Sequence, residues 1–537
     1  MENKRQYINV CRNSSSYLIR ELVNGHEVFR KESIQPILFT VTSNKTKYRD
    51  FYNKTYLEEH VLNSVGEMKE LIEQNKDFEN EIWGSNDLVS QYLYYANYNE
   101  KDQNAIKISF LDIEVCTREK IGDEWIDGGF PLAENAKFPI NAICDYRSDT
   151  KKYHVFTTAP GWEREKSQLK YADEVEYHYC KTEADLLKKW YLFYKTNLPH
   201  VITGWNVKTF DIPYIINRIK NLYGEEKSNK LSPWNKVIPR TEKTAFGSID
   251  FYQIYGISIL DYLDLYKKYR YVPREKYTLD YISRCENPDD MKLRFEGTHG
   301  SLYYDDPVFF VDYNIQDVRC VVCFERDLKF ISLVCYLSYF SGINFEDNYS
   351  PVKVWETLIY RYAMDNYKVI PFKTRDREIK KESYEGAYVH PPVPGLKHCI
   401  SSFDFTSLYP SIMRLWYTGD DVHQKGEDRN KLYDGLISVM KEDPNSRDML
   451  KEILQTGIFN EYYINNDIPE KVTEYLKENG VSLTTNCEFF DVTRKSVMIE
   501  LISNLFKERK ADKKTSFNYK HKAQDILEEL EKRGIKV

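Results

Sequence analysis

An apolar strand that ends in two acids gives the first firm indication of the fold. Residues Ala105–Glu114 alternate like a half-buried strand, and further strand, turn and helix units follow as far as about Phe340. Because residues i and i+2 of a strand share a face, Asp112 and Glu114 point the same way. Two like charges held together there are costly unless cations offset them. The pattern predicts an α/β domain with a candidate cation site, although an edge strand with solvated acids would look the same.

Two further segments carry acids at the start or on the face of a helix. An apolar strand breaks at Gly204, and a helix then begins with Asp211 in its first turn and Pro213 near its start. For Asp211 alone, capping of that helix is the simpler role. Tyr313 and Asp317 are four residues apart, which places them on one face of a helix. The alternative there is a tyrosine packed beside a surface acid.

In this order, the three segments resemble the exonuclease motifs of proofreading DNA polymerases, which belong to the DnaQ-like family. The motifs are acid-x-acid on a strand, Asn-x3-Phe-Asp after another strand, and Tyr-x3-Asp on a helix. The resemblance implies 3′→5′ exonuclease activity and two bound Mg²⁺ ions, for which Mn²⁺ can substitute. It also implies that Tyr313 orients the attacking water and that Asn206 and Phe210 contact DNA. The carboxylates implied as metal ligands are those of Asp112, Glu114, Asp211 and Asp317.

The segment His398–Met413 is predicted to place another acid, Asp404, at the end of an apolar strand, followed by a turn into a helix with Pro410 near its start. It resembles motif A of family B DNA polymerases, Asp-x2-Ser-Leu-Tyr-Pro-Ser. The resemblance implies that Asp404 and the Phe405 carbonyl bind the metals of nucleotidyl transfer. The residues implied in holding the triphosphate or excluding a 2′-hydroxyl are Ser407, Leu408 and Tyr409.

Two more segments fit the same family. Tyr384 and Gly386 resemble a Tyr-x-Gly-Gly/Ala segment that contacts DNA between the two active sites. Residues Leu505–Lys514 resemble the first fingers helix, where Arg509 and Lys513 share one face and would bind an incoming triphosphate. On charge alone, a solvated helix is the simpler explanation of this basic run.

Similarity to the T-even bacteriophage branch of family B extends from about residue 100 to about residue 530, and includes Gly256–Lys268 and Ser350–Glu356. In that branch a β-hairpin helps to part primer from template during editing. Here its tip would lie at Phe246, Gly247 and Ser248, which are therefore expected to contact DNA.

Length and pattern together predict an α/β multidomain chain. At 537 residues, three or four domains are expected. We predict an α+β N-terminal domain at 1–103, with 341–383 packing back on it, and an RNase H-like (DnaQ-like) exonuclease domain at 104–340. The resemblance to family B further implies a partial palm at 384–498 and the helical start of the fingers at 499–537.

Charge and cysteine content limit the other possibilities. The net charge of −7 is not that of a protein that coats DNA, so DNA must meet local Lys and Arg patches. The Cys320–Cys323 spacing is half a zinc site, but no second pair follows at the required distance. No apolar leader or membrane-length run is visible. We therefore expect a soluble, cytosolic protein that makes no membrane contact. The resemblance to the bacteriophage branch implies that this cytoplasm is that of the infected bacterial host.

The sequence departs from family B in one respect. It lacks the Tyr-x-Asp-Thr-Asp and Lys-x3-Asn-Ser-x-Tyr-Gly segments, and one aspartate cannot hold two Mg²⁺ ions for nucleotidyl transfer. The leading interpretation is a split DNA-directed DNA polymerase, in which a second polypeptide supplies the remaining fingers, the palm aspartates and the thumb. Its partners would be single-stranded and primer–template DNA, dNTP, that polypeptide and, through it, a sliding clamp. The alternatives are a stand-alone exonuclease with a polymerase remnant that binds DNA, and a nucleic-acid-binding module without turnover.

Overall fold

The computed structural model describes residues 3–75, 82–121, 124–162, 167–244, 247–295, 299–373, 389–405, 407–458 and 468–534. The chain divides into two compact units. Unit 1 comprises Met1–Ile37, Val61–Glu73 and Asp87–Leu358, and unit 2 comprises Leu38–His60, Gln74–Asn86 and Ile359–Val537. The finer four-part division given above stays a prediction.

The strands of the described residues are, in chain order, β1 (Arg5–Asn13), β2 (Ser16–Val23), β3 (His26–Ser33), β4 (Ile37–Thr42), β5 (Tyr48–Asp50), β6 (Tyr56–Val61), β7 (Ile82–Trp83), β8 (Ile108–Val115), β9 (Arg118–Ile121), β10 (Glu124–Asp127), β11 (Ile140–Arg147), β12 (Lys152–Thr157), β13 (Val175–Tyr179), β14 (Val201–Thr203), β15 (Val237–Thr244), β16 (Gly247–Ile254), β17 (Ser258–Ile259), β18 (Lys368–Val369), β19 (Val481–Leu483) and β20 (Phe489–Asp491).

The α-helices of the same residues are α1 (Val65–Gln74), α2 (Leu88–Tyr95), α3 (Glu183–Thr196), α4 (Asp211–Tyr223), α5 (Glu225–Asn229), α6 (Tyr262–Tyr269), α7 (Leu279–Glu286), α8 (His299–Asp305), α9 (Pro307–Leu328), α10 (Phe330–Ser341), α11 (Pro351–Asp365), α12 (Leu408–Trp416), α13 (Gly426–Glu442), α14 (Arg447–Thr456), α15 (Glu470–Glu478) and α16 (Val497–Lys532). None of the helices in these ranges is both long enough and apolar enough to cross a membrane.

Unit 1 is built around a six-stranded mixed sheet with the strand order β13-β12-β11-β8-β14-β17. Strand β11 runs antiparallel to both β8 and β12, whereas β14 runs parallel to β8 and β13 parallel to β12. A second, three-stranded antiparallel sheet consists of β1, β2 and β3. The mixed sheet with helices packed on it confirms the predicted α/β class.

The two faces of β8 have different neighbours, as the period of two of a strand requires. Leu111, Ile113 and Val115 are buried in a hydrophobic cluster that includes Trp190 of α3 and Ile215 of α4. The alternate residues lie on the other face, where α9 packs against β8 and β11. One face of this central strand therefore supplies core, and the other is available for the acids.

Unit 2 contains a five-stranded sheet in the order β18-β5-β6-β4-β7 and a two-stranded sheet of β19 and β20. Helices α13, α14 and α15 and these last strands share a hydrophobic cluster with Leu436, Met449, Val472 and Phe489 at its centre. Beyond Ile502, the side chains of α16 are exposed or half-buried.

The strand predicted to end at Asp404 is wrong for this structure. Residues 398–405 adopt no regular secondary structure, and within the described ranges no ladder pairs with them. A strand exists only where a neighbouring strand satisfies its backbone hydrogen bonds, so apolar character alone did not suffice. The helix expected after Asp404 is present as α12, with Pro410 in its first turn.

Candidate metal centre

Three acids from two distant segments converge on the α9 face of the central sheet. Asp112 and Glu114 lie on β8, and Asp317 lies on α9. One carboxylate oxygen from each lies within 4.8 Å of the others. Glu114 and Asp317 are buried and Asp112 is half-buried. The alternative interpretation of Asp317 as a surface acid is therefore wrong.

Asp211 lies outside this three-acid group but contacts the backbone of β8 between two of its members. It is the first residue of α4, and its Oδ1 accepts a hydrogen bond from the Ile113 N–H at 3.0 Å. The residue at the capping position is Phe210, which makes no side-chain capping bond. The buried Asp211 carboxylate is therefore directed to the strand segment between Asp112 and Glu114 rather than used as a helix cap.

The loop before α4 lies close against β8 because Gly204 has no side chain. A Cβ built at Gly204 would lie 2.3 Å from the Leu111 carbonyl oxygen. Asp261, at the start of α6, accepts hydrogen bonds from the N–H groups of Asn206 at 3.1 Å and Lys208 at 2.9 Å. Asn206 itself adopts a left-handed conformation with φ 70°. The fold thus fixes the segment that leads into Asp211 at two points.

The chain before α8 and helix α9 each bring a further polar group to the acids. Lys292 Nζ donates a hydrogen bond to Asp317 Oδ2 at 2.5 Å and lies 4.5 Å from the centre of the Tyr313 ring. Asn314 Nδ2 donates to Asp112 Oδ2 at 2.7 Å. Sequence reasoning missed the roles of Lys292, Asn314 and Asp261. Asn314 adjoins a recognised motif and could have been considered, whereas Lys292 carries no motif signal.

The electrostatics of the cluster are unfavourable without cations. Burial raises the pKa of Asp112 well above its usual range, and the charges of Asp211, Asp317 and Glu114 raise it further. Burial also raises the pKa of Asp211 to about 8, although the Ile113 N–H opposes the shift. A set of buried carboxylate oxygens that repel one another fits hard divalent cations such as Mg²⁺, Mn²⁺ or Ca²⁺.

The segment around Asp404 differs from this cluster. Asp404 is exposed, and no group of three or more potential metal ligands in the described part of the chain includes it. Phe405 and Tyr409 expose 77% and 75% of their surfaces, so their side chains have few neighbours. Asp404 on its own offers too few oxygen donors to hold a divalent ion.

Two of the residues expected to bind the triphosphate do meet. Arg509 Nη1 of α16 donates a hydrogen bond to Ser407 Oγ at 2.6 Å. Leu408 begins α12 immediately after Ser407, and Lys513 lies one turn beyond Arg509 on α16 with an exposed side chain.

The residues expected to contact DNA are only partly described. Strands β15 and β16 form the predicted hairpin, with Thr244 opposite Gly247, and Ser248 follows in β16. Phe210 is half-buried, and its ring lies 5.8 Å from that of Phe130, which is 77% exposed. Phe246, Tyr384 and Gly386 lie outside the described residues.

An α/β unit whose central strand presents a cluster of buried acids has the kind of site that metal-dependent enzymes of phosphate chemistry use. The sequence matches the family described as DNA polymerase family B, exonuclease domain, over residues 73–282, and DNA polymerase family B over residues 350–537. The chain belongs to DNA polymerase family B.

Relatives in two bacteriophages support this membership. The chain is 34% identical over 413 residues to the DNA-directed DNA polymerase of Escherichia phage RB69, and 31% identical over 411 residues to that of Enterobacteria phage T4. Each similarity covers 73% of this chain and 44% of the relative, so the chain spans less than half of their length. The DNA polymerase delta catalytic subunit of Dictyostelium discoideum is 26% identical over 327 residues, which cover 56% of this chain and 26% of that protein.

Proposed function

We propose that unit 1 is a 3′→5′ DNA exonuclease in which Asp112, Glu114, Asp211 and Asp317 hold two divalent cations, Mg²⁺ or Mn²⁺. The observation that carries the proposal is the meeting of carboxylate oxygens from β8 and α9 within 4.8 Å of one another. Membership of a family with an exonuclease domain supports the reaction class. The 3′→5′ direction and the number of ions are part of the proposal.

The protein's own groups would prepare the site for cleavage of a terminal phosphodiester. When bound, the cations would lower the pKa of a water molecule and offset the charge that develops on the phosphate. The Tyr313 hydroxyl would orient that water. Lys292 would keep Asp317 and Tyr313 in place, because it contacts both. Asn314 would hold the Asp112 carboxylate in one orientation through its hydrogen bond.

The loop held by Asp261 would place the DNA end beside these groups. Asn206 is exposed and Phe210 is half-buried next to it, so both could contact the last nucleotides. Unpaired bases stack on aromatic rings, and Phe130 beside Phe210 would extend such a surface. The hairpin tip at Phe246, Gly247 and Ser248, and Tyr384 with Gly386, are proposed as further DNA contacts.

The experiment is digestion of a 5′-labelled single-stranded DNA by the purified chain with Mg²⁺. We expect stepwise shortening from the 3′ end, and none in EDTA. Asp112→Ala combined with Glu114→Ala should abolish it, whereas Asp149→Ala, at an exposed turn between β11 and β12, should leave it unchanged. Digestion by the double variant at the wild-type rate would refute the assignment.

For unit 2 we propose half of a nucleotidyl-transfer site, to be completed by a second polypeptide. Asp404 and the Phe405 carbonyl would contribute to metal binding. The proposed triphosphate and sugar contacts are Ser407, Leu408, Tyr409, Arg509 and Lys513. The hydrogen bond between Arg509 and Ser407 supports a shared site.

Primer extension tests this second proposal. The chain alone should not extend a primer, and extension should appear when a polypeptide carrying the Asp-Thr-Asp segment is added. Arg509→Ala should then raise the KM for dNTP, because a cation facing the triphosphate is lost. Extension by this chain alone would overturn the split arrangement. An assembly of this kind would work in the host cytoplasm, with a sliding clamp reached through the added polypeptide.

A further inference from the structure

Two histidines and a glutamate lie together at one edge of the six-stranded sheet. Glu176 and His178 are two residues apart on the edge strand β13, so their side chains share a face. His154, on the neighbouring parallel strand β12, is the register partner of Glu176. The three side chains therefore emerge side by side from the same face.

Their spacing matches that of ligands around one metal ion. One ligand atom from each residue lies within 4.8 Å of the others. His154 Nδ1 is 3.4 Å from Glu176 Oε2. In a tetrahedral zinc site with bonds of about 2.0–2.1 Å, neighbouring donor atoms are about 3.3–3.4 Å apart.

One nitrogen of each imidazole on this face makes no hydrogen bond. His154 Nδ1 and His178 Nε2 are both buried and make no hydrogen bond. His154 as a whole is 7% exposed. Because buried polar atoms normally find a partner in the protein, in water or in a ligand, these two neighbouring nitrogens are available to one bound ion.

We propose that His154, Glu176 and His178 bind a transition-metal ion of the Zn²⁺ class, with water as the fourth ligand. Two imidazoles and one carboxylate form a donor set that suits Zn²⁺, Cu²⁺ or Ni²⁺ better than Mg²⁺. The Glu176 side chain is 43% exposed, so the ion can enter from solvent. Bound there, the ion ties the edge strand β13 to β12. This site is independent of the proposed exonuclease centre, whose donors are all oxygens.

Lys152 competes with the proposed metal ion for the Glu176 carboxylate. It forms an ion pair with Glu176, and its side chain is 49% exposed. Binding of the ion replaces this pair, so Lys152→Gln should tighten Zn²⁺ binding. A purely structural role of the histidines gives no reason for that response.

The test is calorimetric titration of the metal-free full chain with Zn²⁺ in excess Mg²⁺, which fills oxygen-donor sites. We expect one equivalent of Zn²⁺ to bind. His178→Gln should weaken it by more than about a hundredfold, since loss of a group that merely supports a ligand already costs about 10–100-fold. His521→Gln, on the exposed part of α16, is the matched control and should not change it.

Glu176→Gln covers the case in which the histidine variant does not fold, because it changes only a partly exposed carboxylate. It should also weaken Zn²⁺ binding, and bound Co²⁺ should show the strong visible absorption of tetrahedral coordination in the wild type alone. Absence of Zn²⁺ binding by the wild type would overturn the proposal. Equal Zn²⁺ affinity of the wild type, Glu176→Gln and Lys152→Gln would overturn it as well.

Discussion

Asp112→Asn should stabilise the metal-free protein and at the same time abolish exonuclease activity. Asp112, Glu114 and Asp317 each place an oxygen within 4.8 Å of the others. Two full charges at that separation repel by ~3.5 kcal/mol at an effective dielectric constant of about 20. The raised pKa of Asp112 means that protonation already relieves part of this repulsion. Asparagine keeps an oxygen that can accept from Asn314, so we expect a net gain of ~2 kcal/mol.

Thermal unfolding in EDTA and in Mg²⁺ measures this effect. A gain of ~2 kcal/mol corresponds to a rise in Tm of about 2–3 °C in EDTA for a chain of this size. Mg²⁺ should raise the Tm of the wild type, because it binds the folded state alone. The variant should gain less, since one ligand charge has been removed, and its digestion of single-stranded DNA should fall to background.

Asp145→Asn is the matched control. Asp145 is also a buried aspartate of the central sheet, next to the register partner of Asp112. It accepts hydrogen bonds from Ser109 Oγ at 2.7 Å and from Arg147 Nη2 at 3.0 Å. Removing its charge leaves a buried cation without its partner, which costs ~3–5 kcal/mol. If Asp112→Asn lowers the Tm in EDTA as Asp145→Asn does, the acids are not held in mutual repulsion and the reasoning is wrong.

Three further predictions concern two groups beside the site and one set of ionisable groups elsewhere in unit 1. Lys292→Met should lower metal-free stability by ~3 kcal/mol, because it removes the buried ion pair between Lys292 and Asp317. Mg²⁺ should restore most of that stability, and equal losses in EDTA and in Mg²⁺ would contradict this. Gly204→Ala should lower the free energy of unfolding by ~1–3 kcal/mol and also lower the exonuclease rate. Both effects are expected because the added Cβ would displace the Leu111 carbonyl next to Asp112. A wild-type exonuclease rate would count against this prediction. Burial alone would raise the pKa of Glu27, but His200 and Arg20 lower this pKa from 4.5 to about 2. The ionised Glu27 therefore stabilises the fold fully above about pH 4.5, and this stabilisation is lost as the pH falls towards about 2. Urea unfolding across that range should show a weaker pH dependence in Glu27→Gln, and identical slopes would refute the pairing.

The acids on β8 could be predicted from the sequence because their shared direction depends only on local geometry. The period of a strand fixes that Asp112 and Glu114 share a face, and the period of a helix does the same for Tyr313 and Asp317. The order of these motifs then indicated that they meet. For Asp211, local reasoning favoured a helix cap, and only the tertiary position of β8 shows where its carboxylate is directed.

Other features could not be predicted because they depend on distant partners. Lys292 has no motif around it, and its contact with Asp317 exists only because the chain before α8 passes beside α9. The apolar run before Asp404 looks like a strand by composition, but strand formation depends on a neighbour that the sequence pattern does not reveal. The pair formed by His154 and Glu176 likewise arises from the register of two strands, which sequence alone leaves open.

The alternation of β8 explains how the fold tolerates a repulsive site at its centre. The acids occupy one face, while Leu111, Ile113 and Val115 pack into the core on the other. Charge repulsion among the acids and hydrophobic packing of their neighbours therefore alternate along the same strand. The change in unfolding free energy caused by substitutions along β8 should therefore alternate in sign. Removing a charge on the α9 face should stabilise the metal-free protein. Ile113→Val, by contrast, should destabilise it by ~1 kcal/mol through lost packing. If substitutions on both faces of β8 changed the Tm in the same direction, β8 would not carry a repulsive site of this kind.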